Sequence, residues 1–177
     1  MKLPGGPTQD EILAIDLHKL GLRSGDQFID IGCGTGAVSV AAARSCTHVV
    51  AIDRRENAID CARENAECAG LNNIEFVLGE ASEYLKDSKK FDCAFVGGSK
   101  GLDTMLPLLA EKVERNIVIN AVLLKTVNEA VTTMKELGIF RESLLVQVSR
   151  SYPIAGSIMW KPIDPIYIII GEVNQCS

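Results

Sequence analysis

The chain has 177 residues and a mass of 19.1 kDa, enough for one domain over residues 1–177 and too little for the paired cofactor and substrate halves of a nicotinamide dehydrogenase. It is 47% apolar and 23% charged with only 5% aromatic residues, so its core must rest on Ile, Val, Leu and Ala. A formal net charge of -5 and a pI of about 5.1 argue against a broad basic face for nucleic acid.

The pattern along the chain alternates helix and strand. Thr8–Leu20 predicts a helix led by Pro7, with Asp10 and Glu11 in its first turn. Gln27–Ile31 is a short apolar strand running into glycines, and Val38–Ala43 an Ala-rich helix. Thr47–Ile52 is a β-branched strand, Glu56–Ala69 a helix with Ile59, Ala62, Ala66 and Ala69 on one stripe, and Ile74–Leu78 a third strand. Phe91–Val96 follows as a strand, Leu102–Lys112 as a helix, Asn116–Val122 as a strand, and Val127–Leu137 as a helix stopped by Gly138. This alternation predicts an α/β fold, a mostly parallel sheet covered on both faces. Leu144–Val148 and Pro165–Gly171 are strand-like with no helical period between them, which predicts an antiparallel C-terminal hairpin at the end of the sheet.

No stretch suits a membrane: the longest clean apolar run, Ile166–Ile170, is far below the ~18 residues a crossing needs. The opening MKLPGGPT carries no signal-peptide core, so a cytoplasmic protein is expected. Cys33, Cys46, Cys61, Cys68, Cys93 and Cys176 form no C-x-x-C pair, and the chain has only two histidines, so free thiols and no metal site are expected.

The strongest motif is Asp30-Ile31-Gly32-Cys33-Gly34-Thr35-Gly36, between the first strand and the helix after it. Glycines there let a ligand approach the backbone closely. Gly32, Gly34 and Ala37 also satisfy the dinucleotide pattern G-x-G-x-x-G/A. Asp53 ends the second strand, placed to accept both hydroxyls of an adenosine ribose; this serves a nicotinamide dinucleotide and S-adenosylmethionine alike. Three features separate them. Asp30 gives the spacing D-x-G-x-G-x-G, Gly79-Glu80-Ala81 follows the third strand, and no second domain is present. Together they resemble the class I S-adenosylmethionine-dependent methyltransferases over residues 25–140, a Rossmann-like family whose sheet has seven strands with the last antiparallel. A nucleotide-dependent oxidoreductase is the competing reading.

After the fourth strand the chain has Val96-Gly97-Gly98-Ser99-Lys100-Gly101, with no N-P-P-Y-like tetrapeptide, so a nucleobase amino acceptor is not supported. Gly6-Pro7-Thr8, DIGCGTG, Ala51–Arg54, Gly79–Ala81, Val96–Ser99 and Val148-Ser149-Arg150 narrow the likeness over almost the whole chain. They are similar to the family of cobalt-precorrin-6B C15-methyltransferases (decarboxylating) of cobalamin biosynthesis. The resemblance implies methylation at C-15, decarboxylation of the C-12 acetate, a homotetramer, and S-adenosylmethionine held by Thr8, Gly32, Cys33, Gly34, Thr35, Gly36, Asp53, Glu80 and Ala81. Gln9 and Lys100 depart from the family pattern, and Pro153–Lys161 aligns loosely.

A sulfonium methyl is already electrophilic, so the protein's task is alignment. No triad is expected, and His18 and His48 read as structural. A tetrapyrrole substrate carries many carboxylates, so its site needs cations. Arg150 and Lys100 are the first candidates, followed by Lys125 and Lys161. Trp160 and Tyr152 could pack on a macrocycle face, or serve an interface or the core. An RNA or other small-molecule methyltransferase, and a non-catalytic assembly domain, share these features.

Overall fold

The computed structural model describes residues 8–98 and 100–173. Gly6 and Pro7 of the opening motif, Ser99 and Cys176 lie outside the described residues. The strands form where β-branched and apolar residues run without interruption. They are β1 (Gln27–Ile31), β2 (His48–Asp53), β3 (Ile74–Leu78), β4 (Phe91–Val96), β5 (Val113–Ala121), β6 (Phe140–Val146) and β9 (Ile166–Glu172). They make one seven-stranded sheet in the order β3-β2-β1-β4-β5-β9-β6. β1 to β5 pair in parallel, and β9 slots between β5 and β6, antiparallel to both. The antiparallel close of the sheet expected from the C-terminal pattern is therefore present, as a strand inserted inside the sheet.

Helices α1 (Asp10–Leu20), α2 (Ala37–Ala43) and α3 (Glu56–Cys68) precede or follow the first strands; α4 (Ala81–Asp87), α5 (Leu102–Lys112) and α6 (Leu124–Glu136) alternate with the later ones. Alternation along each strand sends residues to two cores. Ile29, Ala94, Ile117, Ile119 and Ile169 pack against Leu85, Leu106, Leu109 and Met134 of α4, α5 and α6. Phe28, Cys93, Phe95, Val118 and Ile168 pack against Ile12, Leu20, Val38 and Ala42 of α1 and α2. A strand buried on both faces needs apolar residues at every position, which is why β2 reads Val-Val-Ala-Ile.

Two features were not expected. α4 is a seven-residue helix that buries Ala81 and Leu85 fully and Tyr84 in part, too short to show a period. Between β6 and β9, where a loop was expected, β7 (Ser149–Ile154) and β8 (Ser157–Pro162) form a separate two-stranded ribbon. Its turn is Ala155-Gly156, both at positive φ (45° and 75°), which suits a tight hairpin. Every residue of β7 and β8 is exposed, Trp160 by 66%.

Among the described residues no helix is long and apolar enough to cross a membrane. Cys33, Cys46, Cys61, Cys68 and Cys93 are all free thiols.

Candidate functional site

The carboxyl ends of β1 to β5 converge on the switch point of the sheet, the position that open α/β sheets use for ligands. The glycine loop turns there. The N–H groups of Gly32 and Cys33 both donate to the Ile52 carbonyl, at 2.8 and 3.0 Å, and the Gly97 N–H donates to the Ile31 carbonyl at 2.8 Å. Gly32 has φ +74°, and a Cβ on it would lie 3.0 Å from the Gly98 backbone nitrogen. No other residue permits that crossing of two loops. Gly36, at φ +77°, sits behind the loop: a Cβ there would fall 2.9 Å from the Ala62 Cβ, so this glycine lets α2 close onto α3.

Two cavities flank the loop. The first, about 580 Å³, is walled by Asp53, Arg55, Glu80, Ala81, Gly97 and Lys100. The second, about 360 Å³, reaches Thr8, Cys33, Gly34, Thr35, Asp30 and Asn120. Gly32, Gly97 and Arg55 border both, so the cavities are neighbours separated by a thin wall.

Asp53 is 5% exposed and fully engaged. Its Oδ2 accepts the Gly34 N–H and the Arg55 Nη2, and its Oδ1 accepts the Arg55 N–H and Nε, each at 3.0 Å. Burial works to raise its pKa, but the Arg55 side chain and the two backbone donors outweigh that and hold it below the ordinary aspartate value. Beside it, Glu80 precedes the first turn of α4 and accepts from Arg54 at 3.2 Å.

Two further acids lie under the second cavity. Asp30 on β1 has no exposed surface; its Oδ2 accepts from the Ser39 hydroxyl, and its Oδ1 has no partner among the described residues. Burial raises its pKa to about 7, with the Asp53 charge adding to the rise. Asp16 on α1 is equally buried and accepts from Asn120 Nδ2 at 2.6 Å. Burial raises it to about 7, opposed by the Asn120 hydrogen bond and helped by Asp30. Burial also drives the Cys33 thiol far up, so it lines the wall without being an available nucleophile.

The donor set suits an adenosine carrying a charged amino-acid tail. A glycine-stripped loop admits the ligand to the backbone, the Glu80 carboxylate can accept from hydroxyl and amine groups, and the Asp53 carboxylate can do so in exchange for one of its present donors. Asp53, Glu80, Ala81 and Lys100 border the first cavity; Thr8, Cys33, Gly34 and Thr35 border the second; Gly32 borders both; and Gly36 borders neither. Lys125 borders neither cavity. Arg150, Tyr152, Trp160 and Lys161 line a separate shallow hollow on the ribbon. There Arg150 is tied to Glu11 by Nε to Oε1 at 3.0 Å and Nη2 to Oε2 at 2.6 Å. His18 borders none of these cavities, and His48 faces Glu75 at 3.3 Å, away from the loop. Arg55, Asn120, Val122 and Leu123 are wall residues that the sequence reading missed. Only Arg55 had a signal, its place immediately beyond the Asp53-Arg54 pair.

Comparison with known proteins places this geometry. The model of the precorrin methyltransferase domain matches residues 4–171. A protein of Methanosarcina acetivorans named "Probable cobalt-precorrin-6B C(15)-methyltransferase (decarboxylating)" is 47% identical, covering 97% of this chain and 96% of its own. A protein of the same name from Sulfolobus acidocaldarius is 34% identical, covering 97% and 99%. The crystal structure of a precorrin-8W decarboxylase from Methanobacterium thermoautotrophicum superposes with a TM-score of 0.92 at 30% identity, covering 97% of this chain and 95% of that one. A precorrin-6Y C5,15-methyltransferase from Geobacter metallireducens superposes at 0.90 and 28%, covering 97% and 94%.

Proposed function

The chain belongs to the precorrin methyltransferase family, and from that premise we propose that it methylates C-15 and decarboxylates the C-12 acetate of cobalt-precorrin-6B. The observation that carries the reading is the pair of adjoining cavities at the switch point, one beside Asp53 and Glu80, the other beyond the glycine loop. Asp53, with Glu80 and Ala81 beside it, holds the adenosine of S-adenosylmethionine. The Gly32–Gly36 loop, bare of side chains at its glycines, passes its tail toward Thr8, Cys33 and Thr35. Gly36 acts from behind, by fixing α2 on α3. The bound cofactor supplies an electrophilic methyl group on a sulfonium.

The second cavity then takes the ring carbon to be methylated, and the protein's work is to hold that carbon in line. Its apolar rim, Val122 and Leu123, is 59% and 60% exposed and suits the face of a macrocycle. Lys100, in the wall of the first cavity, is placed to meet a substrate carboxylate. Arg150 serves that role only after leaving Glu11. The overall charge of -5 supports a small-molecule acceptor over RNA. We also place the protein in the cytoplasm, as a single-domain chain in a homotetramer; the uncovered β7–β8 ribbon supports assembly.

Incubation with S-adenosylmethionine and cobalt-precorrin-6B tests the reading by mass spectrometry. The expected product has gained one methyl group and lost carbon dioxide. An unchanged substrate, with protein shown by calorimetry to bind the cofactor, sinks the assignment. Methyl transfer to RNA in the same assay would replace it. Lys100→Ala is expected to raise KM for the tetrapyrrole by a larger factor than it weakens cofactor binding, since Lys100 stands in the wall of the first cavity.

A further inference from the structure

The two cavities differ in charge. Lys100 and Arg54 border the first cavity only. Arg55 borders both, with its guanidinium against the Asp53 carboxylate at 3.0 Å. Apart from that paired guanidinium, the charged side chains among the described residues of the second cavity are two acids, Asp30 on β1 and Asp164 just before β9. Asp164 is exposed. Asp30 is fully buried, with its Oδ1 unpartnered among the described residues. Asp16 stands behind the same wall, bonded to the Asn120 that lines it. Such a wall disfavours any further carboxylate, yet the acceptor read for this cavity carries many.

Loss of carbon dioxide is the event that such a wall favours. The C-12 arm belongs to the pyrrole ring adjoining C-15, so a ring carbon seated in the second cavity brings that arm with it. A carboxylate facing Asp164 and Asp30 is raised in energy by like charge, whereas carbon dioxide is neutral and escapes it. The bond between the arm carbon and its carboxyl carbon breaks, carbon dioxide leaves, and the bonding pair passes into the conjugated macrocycle. The arm carbon then takes one proton from water and ends as a methyl group. The methyl cation arriving at C-15 displaces one proton to water, so the sulfonium and carboxylate charges vanish together. The other arms can reach toward Lys100 on the first side, and that attraction holds the scissile arm in place against the repulsion.

We propose that the acidic wall of the second cavity is the decarboxylation subsite, in which Asp164, backed by Asp30, destabilises the C-12 carboxylate against the pull of the cations on the first side. The inference rests on the reading of the second cavity as the seat of the acceptor ring. It makes Asp164 a specificity-determining residue, because it selects which of many carboxylates is lost. Stress on the bound carboxylate is relieved as its charge disperses into the ring. It therefore raises kcat and KM together and leaves kcat/KM unaltered.

Release of carbon dioxide from cobalt-precorrin-6B in the presence of S-adenosylmethionine, by the wild type, Asp164→Asn and Asp164→Glu, tests the proposal. Asp164→Asn is expected to lower kcat and KM together, by roughly threefold each, the span of one exposed charge. Its kcat/KM should match the wild type. Asp164→Glu keeps the charge and should keep both constants. Salt at about 0.5 M should bring the kcat values of wild type and Asp164→Asn together, because exposed charges are screened. Unchanged kcat and KM in Asp164→Asn overturn the proposal. So does a fall in kcat with KM unchanged or raised, which would make Asp164 a proton-transfer group or a substrate contact. Calorimetry supplies the last arm: weaker binding of S-adenosylmethionine with unchanged binding of S-adenosylhomocysteine would assign the acid to the sulfonium and overturn the subsite. If the wild type binds the cofactor but releases no carbon dioxide, the functional reading itself has failed, and the subsite falls with it.

Discussion

The glycine-loop wall and the β7–β8 ribbon are opposite solutions to placing a chain. In the wall successive backbone N–H groups are paired: Gly32 and Cys33 donate to Ile52, Gly97 to Ile31, and Gly34 to the Asp53 side chain. Its shape is dictated from both sides, so that a single methyl group on Gly36 has nowhere to go. The strands of the ribbon pair only with each other, Arg150 ties it to Glu11 of α1, and Ile154, Ile158, Met159 and Trp160 stand in solvent. An isolated two-stranded hairpin is marginal in water. The contrast teaches that the glycine-loop wall is preorganised by the chain's own packing, while the ribbon's apolar side chains stand outside the core.

The contrast can be broken most sharply at Gly36. Gly36→Val should destabilise the fold by about 4 kcal/mol, through left-handed strain and overlap with Ala62; urea denaturation checks it. A midpoint near the wild type would show that the wall yields more than its geometry implies.

The buried acids sharpen the same contrast through pH. Asp16 and Asp30 have folded pKa values of about 7, above the ordinary aspartate value of 3.8. The folded state therefore holds protons that the unfolded state has lost between those limits. Their contribution to stability is fully present below about pH 4 and is lost as pH rises to about 7. Asp16→Asn should flatten this dependence and stabilise the protein at pH 8 by on the order of 3 kcal/mol. Thermal melts of wild type and variant across the range supply the measurement, and parallel curves would count against it.

Asp53→Ala should weaken S-adenosylhomocysteine binding about thirtyfold, near 2 kcal/mol for the charge-assisted contacts removed. Calorimetry at constant pH reads it, and an unchanged affinity removes Asp53 from the site. The smallest effect belongs to the ribbon: Trp160→Ser should alter the stability of the dilute, dissociated chain by less than about 0.5 kcal/mol. The same substitution should shift the assembly state in light scattering, and a large stability loss without that shift would mean the ribbon is braced from within.

The sheet was legible because burial on both faces forces unbroken apolar strands. Val49–Ile52 and Phe91–Val96 announce themselves, and Gly138 with φ +70° marks the end of α6. Asp30, Asp53 and the glycine loop were legible because few residues tolerate those positions. α4 escaped because two buried residues cannot make a period. The ribbon escaped because Pro153 argues against a strand and Ala155-Gly156 lacks the Asn or Asp that usually marks a tight turn. The far side of the second cavity was hidden for another reason. Asn120, Val122 and Leu123 reach it from the end of β5, which only the strand order brings beside β1 and β4.

The placing of β9 has a temporal side. β5 and β6 touch only through it, although β9 begins twenty residues after β6 ends. During synthesis, β5 presents a raw edge of Ile117, Val118 and Ile119, and β6 has no neighbour at all. Both wait for a strand that the ribosome has yet to deliver. An unpaired apolar edge is a template for the wrong chain. The nascent protein is therefore most exposed to aggregation in this interval, and a chaperone that caps β5 then would protect it better than one acting earlier.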